Sequence, residues 1–401
     1  MNDGKLLLIR QNAKILSLLM KNDRLLSAKV YKEDAASLIG NIYIGKVINV
    51  SGSTNAAFVE IAPGTSGFLP LAEAKHPHMV NRSAGGSLHP GDELVVQVVR
   101  DAVRSKQPVL TAKISLAGTY IAATDDTRVL GISTKLSAEK RKEISAFLKD
   151  NSLIDEKHNC NSQTGMVVRT NAASLNDFTP LIAEWHQLSE QLHTILEAAV
   201  HRTCFTCLRQ NGKPYLTDLK NYYTDDFNEI ITDCEDIYQD LTAYYESCRK
   251  EGLPIYAVRY YQDEYPLEKL YQVKTRLDGA LSSRVWLKSG GYLVIEPTEA
   301  LTVIDVNSGK CEGKNGEDTL FKINLEAAEE IALQLRLRNL SGMIIIDFIS
   351  MTEEEKQQEL LRKLRSCVRK DVTKTTVVDI TPLGLVEVTR KRTARPLKEL
   401  L

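Results

Sequence analysis

Apolar and polar positions divide the chain into blocks of different period. KLLLIR, AKILSLLM and RLLSAKVY are apolar runs split by polar pairs, and they predict strands over residues 1–35. From 38 to 118 the text alternates, as in NIYIGKVINVSGSTNAAFVEIAPGTSGFLPLAEA, GDELVVQVVRDA and PVLTAKISL, with Gly, Ser and Pro at the turns. Five or so short strands of this kind predict a small Greek-key barrel. Residues 119–212 mix periods. SAEKRKEISAFLKD is helical and GMVVRT (165–170) is a strand. A longer helix starts with Thr179 as N-cap and Pro180 in its first position. Its stripe is Ile182, Trp185, Leu188, Leu192, Ile195 and Ala199. The tyrosine-rich, charged stretch 213–282 predicts helices around 227–251 and 267–282. From 290 to 395 strand and helix alternate. LVIEPTEALTVIDV precedes a helix with Leu320, Ile323, Ala327, Ile331 and Leu335 on one face. IIIDFI, a helix opened by a capping box at Thr352–Glu355, TTVVDI and LVEVTRKR follow. There are no tandem repeats and no low-complexity tracts.

Two of these runs carry a carboxylate at their centre, Asp305 in LTVIDVNSG (301–309) and Asp347 in MIIIDFISM (343–351). Both runs read as buried strands, where an unpartnered carboxylate is very costly. Two such strands joined by a helix lie side by side in one sheet and bring their aspartates together. Asn307 points to the same face as Asp305 and adds a neutral oxygen. Two carboxylates and an amide form an oxygen-only site that suits Mg²⁺. Strand-end turn residues are the other reading of both aspartates.

Length and charge narrow the class. With 401 residues the chain suggests two to four domains, and 43% hydrophobic residues suffice for real cores. A net charge of -1 excludes a polycationic coat but not a local basic patch for nucleic acid. Seven cysteines at mixed spacings do not form a secreted disulfide framework. No run approaches the roughly 18 apolar residues of a membrane span, and the N-terminus lacks a signal-peptide pattern. A cytoplasmic setting is expected.

Further candidates carry less specific signals. Tyr43, Phe58 and Phe68 fall on barrel strands, where an OB-type face stacks bases, and Lys46 and Lys106 are placed to meet phosphates. Each ring taken singly reads as core; the set reads as a binding face. Arg169-Thr170 ends a strand and offers a guanidinium fork with a hydroxyl, although the dipeptide alone reads rather as a surface salt bridge. Arg336, Arg338, Arg390, Lys391 and Arg392 are expected to gather positive charge near the aspartates, or to be solvated helix and strand ends. His201, Cys204 and Cys207 give H-x-x-C-x-x-C on the continuation of a helix. Without a second CxxC this reads as free cysteines rather than structural zinc. No P-loop, nucleophile elbow or G-x-G-x-x-G is present, which counts against an NTPase, an acyl-transfer enzyme or a dehydrogenase.

Taken in order, GNIYIGKV, AAFVEI, SGFLPL, ISLAG, GMVVRT, TEALTVIDVNSG, NLEAAEEIALQLRLRNLSGMIIIDFISM and LGLVEVTRKR resemble the RNase E/RNase G endoribonuclease family along nearly the whole chain. The resemblance implies a multidomain α/β fold. An RNase H-like subdomain (1–37 and 213–282) would be split by an S1 (OB) β-barrel (38–118) and a 5′-sensor α/β domain (119–212). A DNase I-like catalytic subdomain (283–401) would follow. It further implies a Mg²⁺-dependent nuclease for single-stranded RNA, with Mn²⁺ a possible substitute. Metal ligands map onto Asp305 and Asp347, the supporting amide onto Asn307 and the 5′-monophosphate contact onto Arg169 and Thr170. The S1 contacts map onto Phe58, Phe68 and Lys106.

Three departures stand out. Ser350 replaces an acid frequent in the family, GISTK replaces a basic stretch, and no CPxCxG zinc-link motif occurs before Leu401. No structural zinc is therefore expected, and the expected state is a monomer or a zinc-independent dimer. The reaction expected is hydrolysis by water, leaving 5′-phosphate and 3′-hydroxyl ends, with a preference for 5′-monophosphorylated RNA. The alternatives are a non-catalytic RNA-binding protein retaining the nuclease fold and an end-acting metal-dependent phosphoesterase.

Overall fold

The computed structural model describes residues 3–33, 37–83, 85–102, 106–125, 128, 130–155, 157, 159–160, 164–223, 226–250, 253–309 and 317–401. The chain forms two compact units. One holds residues 1–33, 226–242 and 256–401, and the other 34–225 and 243–255.

In the first unit the opening apolar runs form antiparallel strands Lys5–Gln11, Lys14–Lys21 and Arg24–Lys32. Asn12-Ala13 and Asn22-Asp23 take positive φ at the two turns, as tight two-residue hairpins demand. Strands Glu229–Thr232 and Ala257–Tyr260 extend this sheet in parallel. The helix expected around 227–251 therefore begins late, at Glu235. Ile230, Ile231 and Thr232 are β-branched and fully buried, so the sheet claims them first.

A second, six-stranded sheet runs in the order Arg284–Trp286, Tyr292–Pro297, Leu301–Asn307, Gly342–Asp347, Val386–Arg390, Thr375–Ile380. Helices Glu317–Leu337 and Glu354–Arg369 cover one face. Ile304, Val306, Ile344 and Ile346 meet Ile331 and Leu364 there. The capping box expected at Thr352 is not formed. The helix starts at Glu354 without a side-chain cap, and Glu317 takes the Thr352 N–H and hydroxyl, both at 2.7 Å.

The second unit contains an OB-like barrel. Strands Ile42–Ser51, Ala56–Ala62, Thr65–Pro70, Val109–Thr111 and Glu93–Arg100 pair in sequence, and the first closes on the last. Val47, Val59, Leu69, Val96 and Leu110 fill it. A four-stranded sheet, Leu130–Ile132, Gly165–Val168, Ile121–Thr124 and Ser115–Ala117, packs with the Thr179–Ala199 helix through Trp185, Leu188 and Leu192. Thr179 is the first helical residue rather than the cap; Asp177 accepts its N–H at 3.0 Å and its hydroxyl at 2.8 Å. The helix ends at Ala199, so Cys204 and Cys207 are not helical. Phe205 turns the chain at positive φ, and Cys207–Arg209 becomes an edge strand against Ile42 and Tyr43. No helix among the described residues is long and apolar enough to cross a membrane.

Candidate active site and nucleic-acid interface

The Leu301–Asn307 strand has a buried and an open side, not two buried sides. Thr302, Ile304 and Val306 face the core, whereas Val303, Asp305 and Asn307 do not. The same alternation buries Ile344 and Ile346 and leaves Asp347 exposed. The aspartates thus avoid the penalty that full burial of an ionised carboxylate would impose. The two strands are parallel, with Asp305 the register partner of Asp347. Neighbouring strands lie about 4.8 Å apart, so both carboxylates rise side by side from the C-terminal ends of adjacent strands. Asn307 Nδ2 donates to Asp305 Oδ2 at 2.7 Å.

Two neighbours hold the strand ends. Asn324, fully buried on the covering helix, donates to the Ile349 carbonyl at 2.8 Å and accepts its N–H at 3.1 Å, fixing the chain just after Asp347. Gly309 has φ +63°, and a side chain there would strike the Gly290 carbonyl, so the NSG turn needs glycine for its close approach.

Among the described residues no group of three or more His, Cys, Asp or Glu is placed to hold a metal. Two carboxylates with an amide oxygen nevertheless fit Mg²⁺, which is commonly held by one or two carboxylates plus water and substrate phosphate.

The basic residues expected beside the aspartates lie elsewhere. Arg390 is buried and bonds Asp371 Oδ2 at 2.7 Å, Asn339 Oδ1 at 2.8 Å and the Leu340 carbonyl at 3.0 Å. It pairs with Gly342, at the far end of the Asp347 strand, about 17 Å away at 3.3 Å per residue. Lys391 and Arg392 follow it, exposed. Arg338 is buried against Gln334, and burial pushes its guanidinium down to about 10. Arg336 is half-buried in the last turn of its helix. Arg338 and Arg390 hold the fold and do not surround the carboxylates.

On the barrel, Phe58 and Phe68 are direct cross-strand partners, half-buried on the outer face, with ring centroids 6.0 Å apart and planes at 75°. Exposed Lys106 lies next to a segment tied along the Phe68 strand. Gln107 donates to Ser66 Oγ at 2.7 Å and Phe68 N–H to the Pro108 carbonyl at 2.8 Å. Lys46 pairs in register with both Glu60 and Glu93. Tyr43 does not join this set. It packs against the barrel interior, and Asn41 Nδ2 donates to its hydroxyl at 3.0 Å. Burial raises that hydroxyl above its ordinary pKa.

Arg169 leaves the Gly165–Val168 strand with its guanidinium turned to protein. It donates to the Gly118 carbonyl, the Lys220 carbonyl at 3.2 Å and Asn221 Oδ1 at 2.7 Å. Burial pushes it below its ordinary value. Thr170 and Ser133 hydroxyls meet at 2.9 Å. The Gly118 segment is itself held by Glu184, which accepts the N–H of Thr119, Tyr120 and Ile121. Desolvation nonetheless raises that carboxyl above the usual range. Asn221, Asn324 and Glu184 escaped the sequence reading. Only Glu184 had a local signal, an acid on the buried stripe of an amphipathic helix.

Residues 115–393 match the Ribonuclease E/G family. The chain is 33% identical to Ribonuclease E of Haemophilus influenzae over 371 residues, 90% of this chain and 38% of that protein. To Ribonuclease G of Salmonella typhimurium it is 31% identical over 394 residues, 93% of this chain and 76% of that one. To Ribonuclease E of Escherichia coli it is 34% identical over 376 residues, 90% and 34%. The chain thus spans well under half the length of these two Ribonuclease E proteins.

Proposed function

We propose, for a chain that belongs to the Ribonuclease E/G family, that it is a Mg²⁺-dependent endoribonuclease acting on single-stranded RNA in processing and decay. The observation that carries this reading is the parallel register of Asp305 and Asp347 on one open sheet face, with Asn307 bonded to Asp305. The two carboxylates and the Asn307 amide oxygen would hold the cation. When bound, Mg²⁺ acts as a Lewis acid toward water and a counter-charge to the scissile phosphate. Water, rather than the ribose hydroxyl, is the nucleophile, so the ends left are a 5′-phosphate and a 3′-hydroxyl.

The barrel acts as an S1-type domain. Phe58 and Phe68 stack bases, which must be unpaired to offer their faces, and Lys106 meets the backbone. Residues 119–212 act as the 5′-sensor and 283–401 as the DNase I-like catalytic subdomain. A 5′-monophosphate replaces Asn221 at the Arg169 fork, with the Thr170 and Ser133 hydroxyls alongside.

One substrate set tests the reading: a fluorescent oligoribonucleotide with a 5′-monophosphate or a 5′-hydroxyl, and the same sequence circularised, with and without Mg²⁺. Internal cuts and opening of the circle only with the metal are expected. A closed circle would point to an end-acting enzyme, and no cleavage at all to a binding protein.

A further inference from the structure

The open face that carries Asp305 and Asp347 continues onto two strands that the proposed chemistry does not use. Pairing aligns Arg284 with Val294, Val294 with Asp305, and Asp305 with Asp347. The next row aligns Trp286 with Tyr292, and Tyr292 with Asn307. Trp286 is 64% exposed, which is unusual for so large an apolar side chain, while Leu293 and Ile295, which alternate with Tyr292 and Val294, point into the core. Its ring centroid lies 5.2 Å from that of Tyr292, the planes tilted by 57°. The Arg284 guanidinium sits 4.5 Å from the Tyr292 centroid and 5.8 Å from that of Trp286.

These contacts hold the cation by ring faces, and no carboxylate pairs with Arg284 among the described residues. Its charge remains available to a phosphate. The turn after Trp286 is clamped, because Glu326 on the covering helix accepts the N–H of Lys288 at 2.6 Å and of Ser289 at 3.1 Å. The rings therefore stand on a rigid hairpin. Two strand spacings, about 10 Å, separate Trp286 from Asn307.

We propose that Trp286 and Tyr292, with Arg284 beside them, form a stacking platform for a base of the RNA strand next to the phosphate held at Asp305 and Asp347. The proposal rests on the reading of that site as an RNA site. An exposed indole, a second ring and an unpaired guanidinium match a nucleotide: the rings take the base face and the guanidinium the adjoining phosphate. The platform stands on the same sheet face as Asp305 and Asp347, so it seats the substrate at the chemistry itself.

The chain has two tryptophans, and Trp185 is buried in another core, so Trp286 is the one that solvent and RNA reach. A short single-stranded oligoribonucleotide of mixed sequence, added without divalent metal, should quench the exposed tryptophan emission. Trp286→Phe should abolish the change and Trp185→Phe should keep it. In cleavage, Trp286→Ala should raise KM about tenfold with kcat within about twofold, and Trp286→Phe should recover most of the loss. Unchanged Trp286 emission, whether RNA binds elsewhere by anisotropy or does not bind, overturns the proposal. Quenching in a protein that cuts no RNA leaves the platform standing and removes the nuclease reading. Cleavage without quenching does the reverse.

Discussion

Asn307 holds Asp305: its side-chain amide donates to the carboxylate at 2.7 Å from two residues along the same strand. The bond selects one orientation of a carboxylate that would otherwise rotate beside Asp347. Asn307→Ala should therefore lower activity roughly 10- to 100-fold, the usual effect of losing a group that orients a ligand. The Mg²⁺ concentration for half-maximal cleavage should rise with it. A Mg²⁺ titration that overlays wild type would remove Asn307 from the site.

Asp305→Asn and Asp347→Asn should each depress cleavage about a thousandfold or more, the equivalent of several kcal/mol at the transition state. RNA affinity should stay close to wild type, since the substitutions are isosteric and the strands keep their core faces. Turnover near wild type in either variant at ordinary Mg²⁺ contradicts the assignment.

Phe58→Ala and Phe68→Ala should weaken binding of single-stranded RNA by ~1–3 kcal/mol per lost stack. Both rings are half-buried on the outside of the barrel, so melting temperature should change little. Calorimetry beside anisotropy separates the cases: large destabilisation with intact affinity would make these rings structural.

Arg169→Ala should reduce the advantage of 5′-monophosphorylated over 5′-hydroxyl RNA roughly ten- to a hundredfold, the worth of a charge-assisted fork at ~1.5–3 kcal/mol. Asn221→Ala, which frees one edge of that fork, should keep the preference. Equal rates on both substrates in wild type would place no sensor here.

Acid should loosen the hairpin that bears Trp286. Burial works to raise the Glu326 carboxyl, but hydrogen bonds from Ser289 and from the Lys288 and Ser289 backbone hold it below its ordinary value. A depressed folded value contributes stability that is full above the unfolded value, about 4.3. That stability is lost as pH falls through the folded one. Glu326→Gln should flatten this acid limb while lowering stability at neutral pH. Urea unfolding from pH 7 downward, wild type against variant, gives the comparison; parallel curves would show that Glu326 contributes nothing to it.

Strand identity was largely open to local reading. The Leu301–Asn307 and Gly342–Asp347 strands, the barrel strands and the Trp185 helix all appear where apolar period and turn residues placed them. Errors fell where a partner competed with the local signal, near in sequence for Thr179 and distant for Thr352 and residues 229–232. Thr179 and Thr352 are good cap residues, yet Asp177 and Glu317 already occupy the hydrogen-bonding positions. Residues 229–232 look helical next to a charged helix until two parallel strands enclose them.

The site divides the same way. The DVN run and the second aspartate strand are visible as text, because which face a side chain takes follows from a period of two. That Asp305 stands opposite Asp347 is a matter of register between segments brought together only by the folded sheet. The fate of the cations is equally non-local. Arg390 and Arg338 read as surface charge, but Arg390 is buried where acceptors far along the chain, Asp371 and Asn339, satisfy it, and Arg338 is buried against Gln334 one helical turn back. Tyr43 and Phe58 look alike as single residues, yet alternation puts Tyr43 on the inner side with Val47 and Phe58 on the side opposite Val59. Local sequence determined backbone class and side-chain face. Register, burial and the neighbours of each charge came from contacts between residues far apart in the chain.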